Sequence, residues 1–188
     1  MKTFITFLLL ISILQITVQT VDIDKLKSAF SKLEKRNNLT NQRTFFELFP
    51  NSFDAFEQTF GYKNGKAAPL YDGHEYVVKF FSLDSIPEHE QMNKWINISI
   101  GGHWEADAIN YFQYQLRPRI LKNTNLTYEL LKKRSEKDTE AFFYFFFNQV
   151  HPEFEKVPNE FESIKKLDNE FYSLILKGYQ RAIKDSGH

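Results

Sequence analysis

Apolar residues recur every three to four positions along most of the chain that follows Val21. This spacing places them on one face of a helix. Asp22 can cap the first such helix. The apolar faces consist of Ile23, Leu26, Phe30 and Leu33; of Phe53, Phe56 and Phe60; of Tyr76, Val77, Phe80 and Phe81; of Met92, Trp95, Ile96 and Ile100; and of Phe161, Ile164, Leu167, Phe171, Leu174, Gly178 and Ala182. The pattern therefore predicts a helical protein.

Three segments begin with the residue pair of a capping box, in which a polar side chain and a Glu three positions later satisfy each other's backbone N–H groups. These pairs are Asp72 with Glu75, Ser85 with Glu88, and Asn159 with Glu162. Each pair precedes an apolar-periodic stretch, so each predicts a helix start.

Glycine and proline interrupt the pattern at two places. Residues 62–73 contain two Gly and one Pro without apolar periodicity, which predicts a loop. Gly101 and Gly102 fall inside a periodic stretch that continues to Pro118. We expect a kink or break at this glycine pair.

The segment from Glu140 to Asn148 is rich in Phe and is apolar on every face between Ala141 and Phe147. Its aromatic content alone favours a strand, but the charged, helix-compatible residues before it favour a buried helix. Aromatics at helical spacing belong to a core more often than to a lipid or cofactor pocket. The predicted fold is all-α: one compact domain over residues 21–188, with about seven to nine helices and residues 141–150 at its centre.

The N-terminus has the pattern of a signal peptide. Lys2 is followed by an apolar run from Phe4 to Leu14 and then by more polar residues up to Thr20. The run is shorter than the roughly 20 residues that span a bilayer. We expect residues 1–20 to direct export and to be removed, which leaves no stable membrane span; an uncleaved anchor is the alternative. The expected location is periplasmic or secreted.

Composition narrows the choice of partners and chemistry. The 24 Lys and Arg balance the 24 Asp and Glu, and this neutrality predicts no nucleic-acid partner. The absence of Cys excludes disulfides, thiol catalysis and Cys-type zinc sites. Common nucleotide, hydrolase and zinc-protease motifs are also missing, so no cofactor is predicted. Asn38, Asn97 and Asn125 lie in N-x-S/T triplets that matter only in a glycosylating host.

The first candidate ligand site is the turn containing Tyr71, Asp72, His74 and Glu75. A loop enters a predicted helix here, and the free backbone N–H groups at such an end can meet an anion. The capping box explains Asp72 and Glu75 without a ligand, and that interpretation is favoured.

The second candidate site comprises Gly101, Gly102, His103, Trp104, Glu105 and Asp107. On a helix His103 and Asp107 would share a face, where a carboxylate can orient an imidazole or both can ligate a metal. Acidic residues at a helix start are equally explained by the helix dipole.

A metal site needs more ligands than this second cluster offers. His74, His89 or His151 could supply a third ligand, but any protein with five His residues offers such triples. The sequence therefore predicts no metal.

These observations favour an exported, non-enzymatic domain that binds a protein partner or a small ligand. An inhibitor or an immunity-type protein would be an example of such a domain. The analogy rests on compartment and fold class. The alternative is a hydrolase or metal-dependent enzyme built where the His74 and His103 clusters converge. No catalytic residue can be assigned from the sequence.

Overall fold

Ten α-helices and one short hairpin make up most of the computed structural model, which describes residues 20–150 and 153–186. The elements are α1 Ile23–Lys35, α2 Leu39–Leu48, α3 Phe53–Phe60, β1 Tyr62–Lys63, β2 Lys66–Ala67, α4 His74–Phe81, α5 Glu88–Ser99, α6 Ala108–Lys122, α7 Thr124–Leu131, α8 Glu136–Phe147, α9 Glu162–Leu167 and α10 Asn169–Asp185. None of the helices in these two ranges has the length and apolarity to cross a bilayer. Almost all of the predicted signal peptide lies outside them.

Helix α8 forms the centre of the core. Every side chain from Phe142 to Phe147 is buried, and α10 packs along this helix. Rings of α3 and α6 pack against Phe145 of α8, and Phe81 of α4 meets Phe112 of α6 edge to face, a favourable arrangement for aromatic pairs. The all-α class, the single domain and the Phe-rich central helix are confirmed.

Side-chain caps begin five of the ten helices in the described part of the chain. The oxygens of these residues accept hydrogen bonds of 2.9–3.3 Å from the backbone N–H three positions later: Asp22, Asn38, Ser52, Ser135 and Asp168. Each satisfies an N–H group that has no partner inside the helix. The predicted cap at Asp22 is confirmed.

The three predicted capping boxes, at Asp72 with Glu75, Ser85 with Glu88 and Asn159 with Glu162, are wrong. Gly73 precedes α4, Pro87 precedes α5 and Pro158 precedes a 3-10 turn, none with a side-chain cap. The fixed φ of proline sets the chain direction at two of these starts. Ser85 is engaged elsewhere, because its N–H donates to Gln42 Oε1 at 2.8 Å.

The predicted loop at residues 62–73 contains a hairpin. Strands β1 and β2 pair in antiparallel register, with Tyr62 opposite Ala67 and Lys63 opposite Lys66. Asn64 and Gly65 both have positive φ, 52° and 77°, as a two-residue hairpin turn requires. The hairpin returns Lys63 towards α3.

The predicted break at the glycine pair is confirmed, and it is longer than a kink. Helix α5 ends at Ser99, and α6 begins only at Ala108. The predicted end at Pro118 is wrong, because α6 continues through this residue to Lys122. Pro118 lies on the exposed face, where water can satisfy the carbonyl that loses its helical partner.

The last apolar face is divided between two helices. The chain is extended at Asp168, with φ −149° and ψ 92°, and this residue caps α10 after α9 has ended. Asp168 also accepts a 3.0 Å hydrogen bond from the Tyr128 hydroxyl of α7. The break therefore ties the C-terminal helices to the middle of the chain.

Candidate functional site

The connection between α5 and α6, residues 100–107, contains every residue of the second predicted site. Gly101 has φ 79°, a conformation that side chains disfavour. At Gly102 a Cβ atom would lie 2.6 Å from a ring carbon of Phe145 and 2.7 Å from one of Phe53. The connection thus lies against the aromatic core because Gly102 has no side chain.

The C-terminal end of α8 holds this connection in place. The Asn148 side chain accepts a 2.6 Å hydrogen bond from the Trp104 N–H. Gln113 of α6 donates to the carbonyls of Phe145 and Asn148, and Arg117 donates to that of Phe146. These donors satisfy carbonyl groups at the helix end.

Arg117 is itself deeply buried. Burial lowers the pKa of its guanidinium to about 10, and the partial attraction of Glu153 opposes that shift. This charged group fixes α6 against the end of α8, so the scaffold behind the connection is well held.

A cleft of about 340 Å³ opens beside the connection. Tyr62, Tyr71 and Trp104 supply its aromatic side chains, and Glu105 and Asp107 supply its carboxylates. The rings of Tyr62 and Tyr71 lie 5.7 Å apart. The Tyr71 hydroxyl donates to Asp107, and this hydrogen bond raises the pKa of Tyr71. We call this feature the aromatic-acidic cleft.

His103 does not share a helix face with Asp107, as the sequence predicted, because residues 103–107 are not helical. Asp107 instead has φ 61° and stands immediately before α6, with no side-chain cap. The His103 Nε2 atom lies 3.3 Å from Glu105 Oε1 and 3.8 Å from Glu57 Oε1. Its ring packs at a centroid distance of 5.0 Å against Phe53.

Glu57 is the residue that sequence reasoning missed. Its side chain is only 7% exposed, and its Oε2 atom forms an ion pair with Lys63 of the hairpin. This hydrogen bond raises the pKa of Lys63. The sequence did contain a pattern that points to Glu57, since this residue follows Phe53 and Phe56 on the apolar side of α3. A carboxylate in an apolar face needs a partner.

Tyr71 of the first predicted cluster lines the cleft together with residues of the second. Asp72, His74 and Glu75 lie exposed at the start of α4. The His74 ring stacks on Tyr111 at 4.8 Å, while His103 contacts the carboxylates described above. The two turns therefore meet at the cleft, but their imidazoles have different neighbours.

The chain is without a match in the comparisons with known proteins. No protein-family model matches it, no curated protein matches its sequence, and no solved structure matches its fold. Any functional argument therefore rests on the geometry of these residues.

Proposed function

We propose that the protein is an exported, non-enzymatic binding domain, and that the aromatic-acidic cleft binds a cationic side chain of a protein partner. The arrangement of three aromatic residues beside two carboxylates carries this proposal. An alkylammonium or guanidinium group is attracted by the faces of aromatic rings. A carboxylate accepts charge-assisted hydrogen bonds from the same group.

The size of the cleft favours a side chain over a large free ligand. Its volume of about 340 Å³ is near the lower end of the range for small-molecule pockets. A ligand larger than one side chain would extend beyond the cleft onto the surrounding surface. A Lys or Arg presented by a protein fits this limit, and an inhibitor or immunity-type role would use such a contact.

The proposal that the protein is exported is supported by a sequence pattern at its N-terminus. The apolar run after Lys2 has the pattern of a signal peptide. The balanced charge of the chain favours no strongly charged polymer as a partner. The two carboxylates of the cleft give local selectivity for cations on a chain whose overall charge is balanced.

Calorimetric titration with acetylated lysine amide, arginine amide and norleucine amide tests the cleft. We expect the two cationic probes to bind at least tenfold more tightly than norleucine amide. The Asp107→Asn variant should lose most of this preference. Tyr62→Ala should weaken binding about two- to fivefold, the range of an exposed cation–π contact.

Tyr114→Ala is the matched control, because Tyr114 is 72% exposed on α6 and is not part of the cleft. Equal affinity for norleucine amide, or no binding of any probe, would contradict the cleft proposal. Capture from the native exported fraction tests the partner: wild type should retain a protein that Trp104→Ala loses. Turnover of a substrate without a retained partner would favour an enzyme.

The alternative of a hydrolase or metal-dependent enzyme at the His74 and His103 clusters has one observation in its favour. Glu57, His103 and Glu105 bring three metal-ligand atoms together. Within the described ranges, the ion-pair and ring contacts of His103 are with Glu57, Glu105 and Phe53, none of which carries a hydroxyl nucleophile. This environment suits a bound cation better than acyl transfer.

A further inference from the structure

A second group of ligands lies next to the cleft. Glu57, His103 and Glu105 each offer one ligand atom, and the three atoms lie within 4.8 Å of one another. They come from two separate parts of the chain, α3 and the connection before α6. One imidazole nitrogen with two carboxylate oxygens is a donor set that zinc and neighbouring divalent transition metals accept.

The spacing of these atoms fits tetrahedral coordination. Bonds of about 2.0–2.1 Å to nitrogen and oxygen give ligand atoms about 3.3 Å apart in a tetrahedral site. His103 Nε2 lies 3.3 Å from Glu105 Oε1 and 3.8 Å from Glu57 Oε1. Glu57 Oε1 would have to move about half an ångström towards His103 Nε2, and the two carboxylate oxygens, which lie within 4.8 Å of each other, would have to reach the same separation of about 3.3 Å.

Glu57 is the most buried of the three ligands, and it presents one carboxylate oxygen to His103. The two carboxylate oxygens of Glu57 have different neighbours. Oε2 forms an ion pair with Lys63, and Oε1 faces His103. At 3.8 Å the latter contact exceeds hydrogen-bond length. A metal ion between Glu57 and His103 would bind this oxygen and the imidazole nitrogen together.

The surrounding structure holds the three ligands. Phe53 packs against the His103 ring, Gly102 brings the connection close to the core, and Asn148 binds the Trp104 N–H. Lys63 is 58% exposed and binds the other oxygen of Glu57, so it can stay in place as an outer partner. Such outer hydrogen bonds orient metal ligands.

We propose that Glu57, His103 and Glu105 bind one divalent transition-metal ion of the zinc class. Three protein ligands leave a fourth coordination position open. Glu105 also lines the aromatic-acidic cleft, so the metal site adjoins the cleft. The site does not depend on cation binding in the cleft.

Metal titration of the chelator-treated full protein tests the proposal. Calorimetry with Zn²⁺ should show one ion per chain, with micromolar or tighter affinity. Co²⁺ should give a visible absorption spectrum typical of tetrahedral nitrogen and oxygen coordination. Absence of binding, or an octahedral cobalt spectrum unchanged from that of the free ion, would overturn the site.

Variants assign the ligands. His103→Ala and Glu105→Gln should each weaken Zn²⁺ binding at least 100-fold, while His74→Ala should leave it unchanged. His74 is the matched control because it is similarly exposed and lies 3.9 Å from the carboxylate of Glu75. Wild-type affinity in His103→Ala would overturn the proposal, since the metal would then bind elsewhere.

Glu57 needs a separate check because it is buried. Far-UV circular dichroism establishes whether Glu57→Gln folds; if it does, we expect at least tenfold weaker Zn²⁺ binding. If it does not fold, Glu105→Gln, at a residue 25% exposed, decides the carboxylate contribution. Tyr62→Ala should retain Zn²⁺, and His103→Ala should retain lysine amide, so failure of the metal site and failure of the cleft are distinguishable.

Discussion

Lys94 shows how a single charge can be placed within the core. Its side chain is 7% exposed, and its ammonium donates to the Phe46 carbonyl and lies 4.7 Å from the centre of the Phe46 ring. In a continuing helix Phe46 would bond to the N–H of residue 50, but Pro50 has none. Lys94 therefore supplies the missing donor at the end of α2, where the helix dipole also favours a cation.

The pH dependence of stability should reveal the lowered pKa of Lys94. Burial lowers its pKa from 10.5 to about 8, so between these values the folded protein binds fewer protons than the unfolded chain. Stability contributed by this group then rises with pH across that window. We expect Lys94→Met to remove a rise of about 3 kcal/mol in the free energy of unfolding, measured by urea denaturation from pH 7.5 to 10.5.

Lys27→Met, at an exposed position of α1, provides the control and should keep the wild-type profile. The comparison is made between variants because folding raises the pKa of several tyrosines, among them Tyr76 and Tyr144, and a raised tyrosine pKa makes stability fall with pH, which is the opposite sign. If the stability of Lys94→Met and of wild type changed in parallel with pH, Lys94 would have the same pKa in the folded and unfolded protein.

At the scale of elements, the connection between α5 and α6 is the part that gives the site its shape. Its two glycines have different roles. A Cβ at Gly101 would meet nothing within 4 Å, but the residue has φ 79°; Gly102 has an ordinary φ but contacts two phenyl rings. Asp107 ends the connection with φ 61° and directs its side chain to Tyr71.

Alanine at these two positions separates a packing role from a ligand role. Gly102→Ala should lower the free energy of unfolding by about 1–3 kcal/mol, because the added methyl group overlaps the rings of Phe53 and Phe145. Gly101→Ala should cost about 1 kcal/mol through backbone strain. Urea denaturation measures both effects, and we expect lysine-amide binding to persist in each. Loss of binding with stability preserved would instead indicate a backbone pocket under His103.

The helices could be predicted from the sequence because apolar periodicity is a local property. It identified the faces of α1, α3, α5 and α10, and it placed the break at Gly101. Helix starts were less predictable, because a capping residue acts only when the backbone before the helix has the right dihedral angles. At Pro87 and Pro158 proline set those angles instead.

The site was predictable only in part, because its residues come from segments distant in sequence. Residues 101–107 and Tyr71 were identified from their local composition. Glu57 and Tyr62 join them through the packing of α3 and the hairpin, which no local pattern specifies. The Asn64–Gly65 pair is a sequence signal for that hairpin, and the hairpin carries both Tyr62 and Lys63.

At the scale of the whole molecule, the contact between α8 and α10 organises the core. Gly178 of α10 lies directly against the backbone of α8: a Cβ atom there would be 2.6 Å from Phe143 Cβ and 2.8 Å from the Tyr144 nitrogen. Close approach of the two helix backbones lets the large rings of α8 extend to either side. One such contact is that of Phe143 with Phe171, at 6.1 Å and almost perpendicular.

Gly178→Ala should therefore reverse the usual effect of this substitution. In an exposed helix interior Ala is more stable than Gly by about 1 kcal/mol. Here the methyl group would meet backbone atoms that cannot move alone, so α8 and α10 must separate, at an overpacking cost of about 1–3 kcal/mol. Urea denaturation should show a net loss of stability, whereas Gln180→Ala on the exposed face of α10 should change it little. A gain in stability for Gly178→Ala would mean that the two helices are not in close contact, and the central position of α8 would have to be revised.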